Sequence, residues 1–153
     1  MSYTLVIVDM QATFGAANSR RVRENCKREI LQAMESNSPI IFVEYIGQGP
    51  TIPSLVRLTD DYDRVFITRK GDDNGSREVR KTIKDNKLPA RRVRVCGVNT
   101  DCCVLETVCG LNRSMKKTTI EISPKACNSF SNHDHKNGLE FMRKLSNVVI
   151  KRK

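Results

Sequence analysis

The stretch VCGVNTDCCVLETV, residues Val95 to Val108, sets two thiols side by side, Cys102 and Cys103, just after a glycine turn. A cysteine attacks as its thiolate, and with a reference pKa of about 8.5 it needs a nearby cation, a base or a helix N-terminus to be activated. Two distant residues are of the right type: Asp9, which ends the apolar run YTLVIVD, and Lys70, which follows RVFIT. Each has an ordinary reading on its own. Asp9 alone is a loop cap, Lys70 a solvated lysine and Cys103 a core thiol, so the chemistry depends on whether the fold gathers all three.

The elements that would do this are legible as alternating periods. Tyr3–Asp9 and Pro39–Tyr45 are short apolar runs rich in β-branched residues, as expected of strands buried on both faces. Between them, from about Asn18 to Ser36, Val22, Cys26, Ile30, Ala33 and Met34 recur at helical spacing. The glycines and prolines of IGQGPTIP predict a loop, Arg64–Thr68 a third strand, and Ser76–Asn86 a helix with Ser76 as its N-cap. RVRVCGV, TTIEIS and NVVIK complete six strands, with helices over about Thr100–Leu111 and Asn132–Lys144. Strands alternating with helices imply right-handed crossovers and a three-layer α/β/α fold around a six-stranded, mainly parallel sheet of Rossmann-like order. Reactive groups in such sheets collect beyond the carboxyl ends of the strands. Strands one, three and four end at Asp9, Lys70 and the GVNTDCC turn.

The bulk properties set limits. At 153 residues, with 39% apolar and 29% charged residues, residues 1–153 are expected to form a single domain whose core needs no metal or disulfide staple. MSYTLVIVDM does not read as a signal peptide, so a cytoplasmic location and reduced cysteines are expected, with no membrane association. The net charge of +10 and pI near 9.6 raise the question of nucleic acid. The basic groups Arg20–Arg23, Arg91–Arg94 and Lys151–Lys153 are dispersed, no aromatic residues are interleaved, and there is no tryptophan to stack on bases, so a solvated surface is favoured over a phosphate-binding patch.

The ordered set LVIVDMQATF, ITRK and VCGVNTDCCVLETV, with the later KACNS and HDHKNGL, resembles the isochorismatase-like cysteine hydrolases over nearly the whole chain. The resemblance implies a six-stranded parallel sheet between helices, with Asp9 as general base, Lys70 as cationic helper and Cys103 as nucleophile. It implies a cis peptide between Val98 and Asn99, and places His135 where a helical histidine is common. It also implies a homo-oligomer. The chemistry expected is hydrolysis of a C–N bond in a small amide, ureido or carbamoyl compound through a thioester-type acyl-enzyme. Backbone N–H groups of the Val98, Asn99 and Cys103 turn would receive the oxyanion.

Departures from the pattern narrow that expectation. Nicotinamidases of the family carry a metal-binding aspartate and histidines after the second strand, and EYIGQGPTIPSL contains no histidine. No metal and no organic cofactor are therefore expected. His133 and His135, two residues apart, fall on different helix faces and form no metal pair. A thiol also disfavours isochorismatase itself, whose vinyl ether hydrolysis does not need one. The segment after Lys70, GDDNGS, lacks a familiar pattern, and Phe14, Tyr45 and Asn99 are the candidates for lining the substrate pocket. Adjacent helical residues point about 100° apart, so Cys102 is expected to face away from the site and pack; Cys96, Cys109 and Cys127 are expected in the core. The alternatives are a catalytically inactive relative that binds nucleic acid or an acidic partner, and redox sensing by the Cys102–Cys103 pair.

Overall fold

A computed structural model describes residues 2–152. The strands are β1 (Thr4–Val8), β2 (Ile40–Tyr45), β3 (Val65–Lys70), β4 (Arg92–Val98), β5 (Thr119–Asn128) and β6 (Val148–Ile150). They form one sheet in the order β3-β2-β1-β4-β5-β6, with every pair parallel. The helices are α1 (Arg20–Glu35), the short α2 (Pro53–Val56), α3 (Ser76–Asp85), α4 (Leu105–Ser114) and α5 (Asn132–Arg143). The three-layer α/β/α architecture expected from the sequence is the one present. Among the described residues no helix is long and apolar enough to cross a membrane.

Central strands read as continuous apolar runs because both faces are covered: every residue of β1 is buried, and β2 is buried from Ile40 to Glu44. α1 lays Val22, Cys26, Ile30 and Ala33 against the sheet, the stripe its spacing predicts. Cys26, Cys96 and Cys127 are fully buried, whereas Cys109 is only half-buried on α4.

Several boundaries differ from the sequence expectation for local reasons. Ser76 is the first residue of α3 and not its cap; Gly75 caps the helix, and Asn74 Oδ1 accepts the Ser76 N–H at 2.9 Å. β5 runs on to Asn128 through Pro124, because the pairing with β4 slips between Val95 and Gly97 and the proline falls in that irregularity, where no ladder N–H is required. Arg94 is not part of a solvated basic surface. It is buried over the Tyr3 ring and paired with Glu29 (3.1 Å) and Glu121 (3.2 Å). Arg21 spends its guanidinium on the Lys125 and Cys127 carbonyls and the Asn128 side chain. Lys153 of the last basic group lies outside the described residues.

Gly97 sits opposite Val8 where β4 meets β1, at φ 123°, and a Cβ there would lie 2.0 Å from the Val8 carbonyl oxygen. Backbone and neighbour both exclude a side chain. Gly97→Ala is expected to lower unfolding free energy by at least about 2 kcal/mol in urea titration, or to abolish soluble folding. Gly15→Ala, where a Cβ meets nothing within 4 Å, should leave the midpoint nearly unchanged. Equal midpoints for the two variants would refute the close-approach argument.

Candidate active site

Asp9 follows β1 immediately, and its left-handed backbone, φ 53°, turns the chain out of the sheet at that residue. Its N–H donates to the Val43 carbonyl at 2.9 Å, which ties the turn to β2. The carboxylate is 1% exposed and meets the ammonium of Lys70, 0% exposed, at 3.1 Å. Lys70 Nζ also donates to the Asp72 carbonyl at 2.9 Å and lies 4.0 Å from the centroid of the Tyr45 ring. The ammonium is thus held by an ion pair, a carbonyl and an aromatic face, which is what a fully buried charge requires.

The third group arrives from β4. The Val98–Asn99 peptide is cis, as the resemblance implied. The Asn99 carbonyl accepts from the N–H groups of both Cys102 (3.0 Å) and Val104 (3.1 Å). Residues Thr100–Val104 form a π-helical turn that leads into α4, where the sequence predicted α-helix throughout. α5 presses on this turn: a Cβ on Gly138 would lie 2.9 Å from the Thr100 carbonyl and from the Asp101 nitrogen. Thr100 Oγ1 is hydrogen-bonded to His135 Nδ1 at 2.7 Å, and Ser129 Oγ donates to Asp101 Oδ1 at 2.8 Å. His135 is thereby a structural support of the turn, and burial holds its imidazole below the usual histidine pKa. His133 instead contacts Asn137 at the surface.

Asp9, Asn99 and Cys103 line one cavity of about 190 Å³ together with Phe14 and Tyr45, whose rings lie 6.2 Å apart. Lys70 stands behind its wall, on Asp9. All the residues singled out in the sequence meet here. Larger hollows of about 420 and 680 Å³ lie against α1 and beside the loop before β4, and neither is lined by a cysteine.

Two expectations are corrected. Cys102 does not face away: it lines the same cavity, and its thiol donates to Asp73 Oδ2 at 3.6 Å while Cys103 donates to Asp73 Oδ1 at 3.7 Å. The argument from 100° steps assumed an α-helix, and the wider π turn carries both sulfurs to one carboxylate. Second, burial opposes ionisation of Cys103. Burial raises its pKa far above the ordinary thiol value, the Asp9 carboxylate raises it further, and Lys70 offsets only part of this. Burial likewise raises Asp9, against the lowering influence of Cys103 and Lys70.

Asp73 and Phe130 were missed. Asp73 sits in GDDNGS, where no spacing marks it; Asp72 Oδ1 accepts the Asn74 N–H, and the Gly75 N–H donates to Thr107 Oγ1 at 2.9 Å, fixing the loop over α4. Phe130, 83% exposed, stands at the mouth.

Residues 3–153 match the family described as Isochorismatase domain. The chain belongs to this family. None of the curated proteins matches it. Among solved structures, the nicotinamidase from Staphylococcus aureus is similar with a TM-score of 0.83 at 16% identity, covering 99% of this chain and 100% of that one. The MAR1 ribonuclease from Caenorhabditis elegans reaches 0.84 at 21% identity, over 98% of this chain and 77% of that one. An isochorismatase-like hydrolase from Alkaliphilus metalliredigens gives 0.80 at 14%, over 98% and 95%. At these identities the likeness concerns the fold. The loop after β2 contains no histidine, and the buried carboxylate of Glu44, near the end of β2, is engaged by Thr51 and Arg69.

Lys70→Met keeps the length of the side chain and removes the partner of a buried carboxylate. The variant is expected to lose about 3 to 5 kcal/mol of unfolding free energy at neutral pH. In it the folded-state pKa of Asp9 exceeds the unfolded value, so the deficit must shrink as pH falls through that pKa and the carboxyl takes up a proton. Urea titrations of both proteins at pH 7 and pH 5 check this; a deficit that is absent, or larger at pH 5, would contradict it.

Proposed function

We propose that this protein is a metal-independent cysteine hydrolase that cleaves a C–N bond in a small amide, ureido or carbamoyl compound. The observation that carries the reading is the convergence of the buried Asp9–Lys70 pair and Cys103 on one cavity. Family membership and the nicotinamidase neighbour support hydrolysis of an amide-type bond.

In this reading Asp9 takes the Cys103 proton as sulfur attacks the substrate carbonyl, so the thiolate exists only as the C–S bond forms. The raised pKa of Asp9 makes its carboxylate a stronger proton acceptor, while that of Cys103 keeps the thiol protonated until attack. The N–H groups of Asn99 and Cys103 receive the oxyanion, each such donor being worth roughly 3 kcal/mol. Asp9 returns the proton to the leaving nitrogen, and water then releases the acyl group from sulfur. Lys70 holds Asp9 in place and keeps its pKa from rising out of reach. Phe14 and Tyr45 flank the substrate, and Asp73 accepts its N–H groups. A cavity of about 190 Å³ is smaller than the roughly 300 Å³ at which drug-sized ligand sites begin, which limits the substrate to a small molecule.

A second reading draws on the MAR1 ribonuclease neighbour and the charge of +10: a nucleic-acid-binding relative, catalytic or not. Asp73 at the rim disfavours phosphate in this cavity, and Arg94 and Arg21 are engaged within the fold. Binding to a mixed oligonucleotide at graded salt separates the readings, because phosphate contacts lose affinity steeply with ionic strength.

The direct test is ammonia release from a panel of small amides, ureas and carbamoyl compounds. The wild type should turn over at least one class, and Cys103→Ala should abolish it. Turnover that survives this substitution would overturn the mechanism. On a substrate so found, kcat/KM should fall on acidification with a limb above the ordinary aspartate value of about 4, because burial raises Asp9. A limb at or below that value would remove Asp9 as the base.

A further inference from the structure

Cys102 adds to Cys103 and Asp73 a second thiol that hydrolysis does not need. Hydrolysis uses one thiol, yet two point at the same carboxylate, one to each oxygen, at 3.6 and 3.7 Å, and the three candidate ligand atoms lie within 4.8 Å of one another. We propose that the vicinal thiols and Asp73 are a chelating site for a thiophilic divalent cation of the zinc type, whose binding caps Cys103.

Geometry carries the proposal. With a zinc–sulfur bond of about 2.3 Å and a zinc–oxygen bond of about 2.0 Å, a tetrahedral ion separates sulfur from oxygen by about 3.5 Å. The two sulfur–oxygen distances, 3.6 Å to Oδ2 and 3.7 Å to Oδ1, are close to that edge but reach different oxygens, so a turn of the exposed Asp73 carboxylate is what brings one oxygen within range of both sulfurs. An ion can therefore enter among three ligand atoms that lie within 4.8 Å of one another, and water from the open cavity completes the shell. The thiol pair selects a soft metal over magnesium or calcium.

The exchange balances in charge. Each S–H now directs its proton towards the carboxylate; on binding, both S–H bonds break, two sulfur–metal bonds form, and two protons leave to solvent. No electron is transferred. The dication replaces two protons, so the pocket charge, set by Asp9, Lys70 and Asp73, does not change. The Lys70 ammonium does not repel the ion strongly, since it is already paired with Asp9 at 3.1 Å.

The π turn is what makes the site possible. It lets adjacent residues offer sulfur to one point, and Gly138, His135 and Ser129 hold it from the α5 side. Asp73 closes the set from the loop after β3, stitched down by the Gly75–Thr107 hydrogen bond. Because the ion would engage the sulfur itself, the site is also a brake on any reaction of Cys103, independent of the compound hydrolysed.

The test uses reduced, full-length protein and zinc alone. Competition against a chromophoric chelator should show one tight site, and Cys102→Ala, which leaves Cys103 and Asp73 in place, should weaken it at least about tenfold. Alkylation mapped by mass spectrometry should be slowed by zinc at Cys102 and Cys103 and left unchanged at Cys109, with chelator restoring the rate and magnesium having no effect. Equal zinc affinity in wild type and Cys102→Ala, or zinc that leaves Cys103 alkylation unchanged, would overturn the proposal. Circular dichroism of Cys102→Ala establishes that it folds; should it not, Asp73→Asn serves as the second variant, with the same tenfold weakening required. These readouts need no substrate, so they stand or fall apart from the hydrolase reading.

Discussion

The burial of one ion pair governs the geometry around the cavity. Asp9 and Lys70 come from strands that are not adjacent, β1 and β3, with β2 between them. Their contact at 3.1 Å therefore bridges over the carboxyl end of β2, and Tyr45, the last residue of β2, supplies the aromatic face beneath the ammonium. Neither charge could be removed from water alone without a penalty of several kcal/mol, so each enforces the other's position. The loops that surround the pair serve the same end. Gln11, fully buried, donates to the Tyr45 and Gly49 carbonyls and accepts the Tyr45 N–H, which fastens the segment after β1 to the segment after β2.

The opposite wall is fixed by close packing, not by charge. Gly97 lets β4 run against β1 without a side chain, and Gly138 lets α5 touch the Thr100–Asp101 backbone. The turn that carries the two thiols is thus clamped between a strand and a helix, and His135 and Ser129 satisfy its polar groups. Burial and the neighbouring Asp9 carboxylate favour the protonated thiol at Cys103.

Much of this was legible from residue order because the governing rule is topological. Alternating periods fix a parallel sheet, a parallel sheet puts strand ends on one rim, and the residues at three of those ends were Asp9, Lys70 and the GVNTDCC turn. Phe14, Tyr45 and Asn99, named as candidate lining, border the cavity with Asp9 and Cys103. What escaped was set by local geometry that periodicity does not encode. The 100° rule turns Cys102 away from the site because nothing in TDCCV distinguishes a π turn from an α turn. Asp73 lay in a polar loop without spacing, and only its Asn74 and Gly75 anchors bring it over the thiols. The activated thiolate expected from a helix N-terminus and a lysine was a balance of opposing forces, and burial, which depends on the whole fold, decided the sign.

That balance also bears on what the cavity accepts. Asp9 and Lys70 largely cancel, which leaves Asp73, without an ion pair among the described residues, as the charge beside Cys103, and the aromatic rings of Phe14 and Tyr45 line the same space. An anion in the cavity would meet a like charge, the Asp73 carboxylate, within a few ångströms of Cys103. A neutral or cationic amide with N–H groups to donate meets an acceptor and aromatic faces instead. The basic surface does not reverse this preference, because charges separated from the pocket by more than about 8 Å of physiological saline are largely screened, whereas Asp73 is in contact. The electrostatic character of this cavity therefore follows the one local carboxylate and not the net charge of the chain.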